Sequence, residues 1–286
     1  MRMHRQIRNR RMSVEYLVIP KYIFPLHHHL PMKTAILLIA HGAKESEGKD
    51  SASKNRVPLM EATGMDVYLA YLHLEPSVHD TVRRMMDDGV DRIIAVPLFV
   101  FPGFLPDVTV RKAVGLEPRA VTGMSREGDG CVRMVFTGTF GDHPLMEDVI
   151  LDVCGGYGAK PENTSVIMVF HGNRNGSGTE NVDRCSRYLS GRGYDVISAY
   201  NEFQSPTVEE AVGSLSGKGR DILVIPMFVS PGTHTTSDIP VKLGLNGSDT
   251  RDLGNGHILR YAPEIGMHPR IADILKARVD ETLKGQ

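Results

Sequence analysis

The sequence predicts an α/β protein of two duplicated domains, each a small parallel sheet with helices on both faces. Three observations carry that prediction. A buried apolar run ending in His-Gly occurs twice, as Ala35 to Gly42 and as Ser165 to Gly172, 130 residues apart in a chain of 286. Strand-like and helix-like stretches alternate in the same order after each copy, the pattern of a parallel sheet with right-handed crossovers. Other landmarks recur at nearly the same offset: Pro76 and Pro206, Pro102-Gly103 and Pro231-Gly232, His143-Pro144 and His268-Pro269.

Residues 1–31 stand apart from this pattern. Met1 to Arg11 carries five arginines, and the apolar stretch Leu17 to Leu30 is broken by Pro20, Lys21 and Pro25. It is short for a signal peptide and no small-residue cleavage site follows. The expectation is a disordered, dispensable leader, with Met32 opening the first domain and His27-His28-His29 incidental.

The first domain, 32–156, opens on a strand at Ala35 to Ala40, followed by a helix through the fifties. A second strand is expected at Val67 to Tyr71. Pro76 then opens a helix at a position where its missing N–H costs nothing, with Asp80 in the first turn and Gly89 at the end. A third strand spans Arg92 to Val100 and runs into Phe101-Pro102-Gly103. A polar region reaches to about Gly130, a fourth strand covers Val132 to Thr137, and His143-Pro144 starts a helix ending near Gly155-Gly156.

Gly155, Gly156, Gly158 and Pro161 mark the break before the second domain, 163–286, which repeats the series. Its strands are expected at Ser165 to Phe170, Asp195 to Tyr200, Asp221 to Val229 and His257 to Tyr261. Its helices are expected at Glu180 to Ser190, after Pro206 and after His268-Pro269. No hairpin signal is read between the strands, which is why the sheets are expected to be parallel.

Composition narrows the function. A net charge of -1 gives no overall field to recruit nucleic acid or a membrane surface. No apolar run approaches the roughly 18 residues of a membrane span. Cys131, Cys154 and Cys185 form no CxxC pair, which suits a reducing cytoplasm better than a disulfide framework. GxGxxG and GxxxxGK[ST] are absent, so nucleotide binding is unsupported. The absence of GxSxG argues against an α/β-hydrolase with His171 as base.

The chemistry-bearing residues sit at successive strand exits of the second domain. His171 follows its first strand, Glu202 its second and His234 its third. In a parallel sheet these exits share one edge, where ligands bind. Two neutral imidazoles suit a borderline divalent metal such as cobalt, nickel or iron, and a carboxylate beside them is either a third ligand or a proton acceptor. The surrounding Asn173, Ser230, Gly232, Thr233 and Thr235 offer polar contacts to an acidic ligand, and Arg174 a fixed charge. The first domain keeps His41 but has His73 and Leu105 where Glu202 and His234 stand, so its copy of the site is degenerate, and His41 is left as a substrate contact.

These segments resemble the class II chelatases: a strand ending in His-Gly, Asn201-Glu202-Phe203 followed by Pro206-Thr207, and the run from Val224 through Ser230-Pro231-Gly232 to His234 with Asp238-Ile239-Pro240 beyond. The nearest likeness is to the CbiX-like sirohydrochlorin cobaltochelatases and their iron- and nickel-inserting relatives. The resemblance implies two chelatase-type domains facing a tetrapyrrole cleft, with His171 and His234 binding the incoming metal and histidine or Glu202 removing pyrrole protons. It implies no cofactor beyond the substrate metal, cobalt first and nickel or iron as alternatives. The partners would be a small tetrapyrrole and a metal ion, the chain a monomer acting as a pseudo-dimer or a homodimer. A non-catalytic tetrapyrrole or metal carrier is the contrasting reading.

Overall fold

The computed structural model describes residues 32–42, 47–127, 130–174 and 179–285; the expectations for the leader and for His27-His28-His29 lie outside them. Two five-stranded sheets are built to one plan. The first comprises β1 (Thr34–Ala40), β2 (Val67–Tyr71), β3 (Arg92–Pro97), β4 (Thr122–Glu127) and β5 (Gly130–Phe136) in the order β2-β1-β3-β5-β4. The second comprises β6 (Thr164–Phe170), β7 (Asp195–Tyr200), β8 (Asp221–Pro226), β9 (Thr250–Gly254) and β10 (His257–Tyr261) in the order β7-β6-β8-β10-β9. The repeat therefore holds at the level of strand order.

Each sheet departs from the expectation at one edge. β4 pairs antiparallel with β5, and β9 antiparallel with β10. The β4 stretch reads as part of a polar region and no strand is expected over the β9 stretch, because neither alternates apolar and polar residues cleanly. The turn Gly254-Asn255-Gly256, with all three residues at positive φ, is the Asn-Gly chemistry a hairpin requires. That signal is present in the sequence and outweighs the absence of periodicity. β3 and β8 also end earlier than expected, at Pro97 and Pro226, where the chain loses a ladder donor.

The strands' period of two sorts their side chains into layers. In β1, Ile36 and Leu38 join a central core while Ala35, Leu37 and Ile39 face outward into a second one. In β6, Val166, Met168 and Phe170 join the same central core while Ile167 and Val169 face a third. The central core is thus shared by both sheets, and from Met32 onward the chain is one compact unit. Helices α1 (Glu47–Thr63), α4 (Leu145–Gly156), α5 (Thr179–Ser190) and α8 (Ile271–Lys284) carry it. In α8 the buried Ile271, Ile274, Leu275 and Val279 fall at helical spacing. This last helix packs on β3 of the first sheet, and its Arg278 donates to the Thr139 carbonyl and the Asp142 carboxylate. The outer faces are covered by α2 (Val78–Asp87) and α3 (Val110–Ala113) on one side, and by α6 (Val208–Leu215) and α7 (Ile239–Leu243) on the other.

Pro76 and Pro206 do not open helices, contrary to the sequence reading. Each stands before the N-cap, which is Ser77 for α2 and Thr207 for α6, the latter closing a full capping box with Glu210. The proline carbonyls instead accept the N–H groups of Tyr71 and Tyr200 at the strand ends.

His143 and His268 occupy equivalent places before α4 and α8. Each Nδ1 accepts a backbone N–H, from Leu145 and Arg270 respectively, which requires a neutral ring. Burial depresses both below the ordinary imidazole value of 6.5, assisted at His143 by Arg278 and at His268 by Arg270. A depressed histidine binds fewer protons folded than unfolded, so its stabilisation is complete above about pH 6.5 and is lost as pH falls toward the folded value. The thermal midpoint is expected to drop on acidification through that window. The drop should be smaller in a His143→Gln, His268→Gln variant; identical pH slopes would show that these rings are not responsible.

Candidate functional site

The exits of β6, β7 and β8 bring the predicted residues to one edge. His171 directly follows β6, and its carbonyl accepts the Glu202 N–H at 3.0 Å. This contact passes close to Gly172, which has a φ of +84°. A Cβ on Gly172 would lie 1.9 Å from the Glu202 carbonyl oxygen, so the His-Gly step is a steric requirement of bringing two strand exits together. Gly172→Ala is expected to destabilise the fold by at least about 2 kcal/mol, read as a lowered urea midpoint. An unchanged midpoint would mean that the loop relaxes at no cost.

His234 opens a π-helical turn, His234–Asp238, that leads into α7. Such turns are rare and cluster at functional sites. This one places residues four apart on one side, and the His234 Nδ1 meets the Asp238 carboxylate at 2.7 Å. The His171 Nδ1 meets the Gly172 carbonyl at 2.9 Å. Both partners are acceptors, and a neutral ring so placed carries its proton on Nδ1 and keeps the Nε2 lone pair for a ligand. The two rings stand edge to face with centroids 4.9 Å apart. The Glu202 carboxylate lies 4.0 Å from the His234 Nδ1. It is near enough to take up a proton from a bound ligand, and it is not the group that orients the ring.

Asp238 and Asn201 complete the site and were not singled out as site residues from the sequence. The Asn201 amide nitrogen lies 3.1 Å from the His234 Nδ1, and its Oδ1 accepts from Lys242 at 2.9 Å, which fixes the amide's orientation. The signal for Asp238 was its spacing of four from His234, informative only once a helical turn is known to start there.

The other predicted residues divide. His171, Asn173, His234 and His41 line a cavity of about 530 Å³, walled by Phe99, Phe101, Leu105 and Phe228. Ser230, Gly232, Thr233 and Thr235 line an adjoining cavity of about 300 Å³, which His41 and His234 also border. Thr235 is buried, and its hydroxyl is already engaged with Gly232. Arg174 lies outside both cavities, its guanidinium 5.1 Å from the centre of the exposed Phe203 ring.

The first half shows the same scaffold with other side chains. His73 donates its N–H to the His41 carbonyl as Glu202 does to that of His171, which fixes the correspondence of His73 with Glu202. A matching π-helical turn runs over Leu105–Thr109. Leu105 stands for His234 and Thr109 for Asp238, so ligand and orienting carboxylate are missing together. Burial, and then the neighbouring His73, hold His41 below the ordinary imidazole value, keeping it neutral on the cleft wall.

Comparison with known proteins bears on the duplicated fold and its family. A protein of Saccharolobus solfataricus named sirohydrochlorin cobaltochelatase is 32% identical over 120 residues, covering 41% of this chain and 94% of that one. A whole relative thus corresponds to one half of this chain. The structure of SirB from Bacillus subtilis with Fe3+ matches with a TM-score of 0.68 at 17% identity, over 89% of this chain and 98% of that one. A multi-domain Deinococcus radiodurans protein described as structurally similar to chelatases matches with a TM-score of 0.69 at 18% identity, over 89% of this chain and 56% of that longer one. At these identities the two structures speak for the fold alone. The CbiX profile matches twice, at residues 35–154 and 165–282, in register with the two sheets, and the chain belongs to the CbiX family.

Proposed function

We propose that this chain inserts a divalent metal, cobalt in the first instance, into sirohydrochlorin on the route to a cobalamin-type tetrapyrrole. The observation that carries the reading is the pair His171 and His234, 4.9 Å apart, each with Nδ1 committed to an acceptor and Nε2 free at a cleft. Insertion requires the metal to shed water, the ring to bend, and two pyrrole protons to leave. Neutral imidazoles replace water without adding charge. Among the described residues no group of three or more His, Cys, Asp or Glu side chains could enclose a metal. Two imidazole ligands leave the metal's other coordination positions open to water and to the macrocycle nitrogens, which transfer requires.

Glu202, 4.0 Å from the His234 Nδ1, is the proton acceptor in this reading. The aromatic and aliphatic walls Phe99, Phe101, Leu105 and Phe228 suit the faces of a macrocycle. A cleft that grips a puckered ring better than a flat one lowers the barrier by differential binding. Asn173, Arg174, Thr233 and His41 are assigned to the ring's carboxylates and edge. Because both halves line the cavities, one chain holds a complete cleft, and a monomer suffices. Imidazole ligation accepts nickel and iron as well.

The deciding experiment is anaerobic incubation with free-base sirohydrochlorin and Co²⁺, Ni²⁺ or Fe²⁺ in turn, followed by absorbance. Catalytic conversion with cobalt fastest supports the proposal in full, and conversion with another metal fastest corrects the metal. Binding of ring and metal with no turnover would refute it in favour of the carrier.

A further inference from the structure

The first half lacks the counterparts of His234 and Asp238, yet two imidazoles meet there. His41 and His73 stand edge to face with ring centroids 4.8 Å apart at 70°, close to the 4.9 Å and 83° of His171 and His234. The likeness arises by a different route. In the second half the ligands leave the first and third strands of the repeat, whereas His41 and His73 leave the first and second.

The spacing is that of ligation. With metal–nitrogen bonds of about 2.1 Å, the centres of two imidazoles sharing one metal at a near-tetrahedral or right angle lie about 4.5–5.3 Å apart. Both residues reach solvent, and His41, partly covered by the cleft wall, borders the same cavities as His234. Among the described residues, neither ring has a hydrogen-bonding partner that would occupy its nitrogens. A ring pair kept only for packing would be covered, or tied to a backbone group as His143 and His268 are.

We propose that His41 and His73 form a second divalent-metal docking site, on the cleft wall contributed by the first half. It would hold a metal ion at the mouth of the cavity that His171 and His234 face, raising the local supply of ion to that pair. Its ligand class is a borderline divalent cation held by two neutral nitrogens, with water completing the shell.

The test is Co²⁺ binding without tetrapyrrole, anaerobically, on the full chain with His27, His28 and His29 replaced by alanine in every variant. Calorimetry gives the stoichiometry and the cobalt d–d bands report the ligands. Two equivalents are expected for the parent, one for His171→Ala, His234→Ala, and none once His73→Phe is added. The phenylalanine keeps the edge-to-face ring contact and removes the ligand, so a loss cannot come from lost packing; circular dichroism confirms each variant is folded. No binding by His171→Ala, His234→Ala would overturn the proposal, as would binding that survives His73→Phe. Because no tetrapyrrole is present, a failure of metal insertion in the chelatase assay leaves this result standing, and the reverse also holds.

Discussion

His234→Ala is expected to reduce metal insertion by at least about 100-fold while tetrapyrrole affinity stays within about threefold of the parent. Loss of a residue that merely orients a metal ligand costs about 10–100-fold, so loss of the ligand itself sets a larger effect. The proposed grip on the ring is separate, since it is assigned to the cavity walls Phe99, Phe101, Leu105 and Phe228. His171→Ala should behave alike, because the rings stand 4.9 Å apart and the proposed function uses them as one ligand pair. Stopped-flow absorbance gives the rate and fluorescence quenching of the free-base ring gives the affinity. Parallel losses in both would show that His234 supports the loop and leaves the metal alone. At saturating metal, His41→Ala should cost less than about threefold, because Leu105 and His73 replace the groups that complete the second-half site. A loss equal to that of His171→Ala would place His41 in the same coordination set.

How far the sequence speaks depends on what each residue's role requires. The His-Gly steps were legible because a buried strand must stop there, and the structure adds why glycine is needed: the close approach of the Glu202 carbonyl. The correspondence of His73 with Glu202 and Leu105 with His234 was legible as repeat spacing, and backbone contacts and paired π-helical turns reproduce it. The edge strands β4 and β9 were missed because edge positions demand little hydrophobic alternation. The shared central core was also out of reach. Ile36 in β1 and Val166 in β6 read alike as buried, and only the packed helices show that both face one layer. The orienting role of Asp238 was hidden for a related reason. In a loop, a residue four positions away has no fixed direction, whereas on a π-helical turn it lies beside His234.

That orientation makes a second large effect calculable. In the parent, the His234 Nδ1 faces an acceptor, Asp238 at 2.7 Å, and a donor, the Asn201 amide nitrogen at 3.1 Å. The carboxylate prevails because it is closer and charged, so the proton sits on Nδ1 and Nε2 is free to bind metal. In Asp238→Ala the acceptor is gone, and Lys242 prevents the Asn201 amide from flipping, since it holds Oδ1 at 2.9 Å. The Asn201 N–H then donates to Nδ1, the proton moves to Nε2, and the lone pair that should meet the metal is lost. A fall of about 10–100-fold in insertion is expected. Adding Asn201→Ala to Asp238→Ala removes the competing donor and should recover part of the loss, although Asn201→Ala alone brings no gain. Recovery in the double variant is the signature of tautomer control. If the two substitutions simply add, Asp238 acts through its charge at the cleft, and the ring's tautomer is set elsewhere.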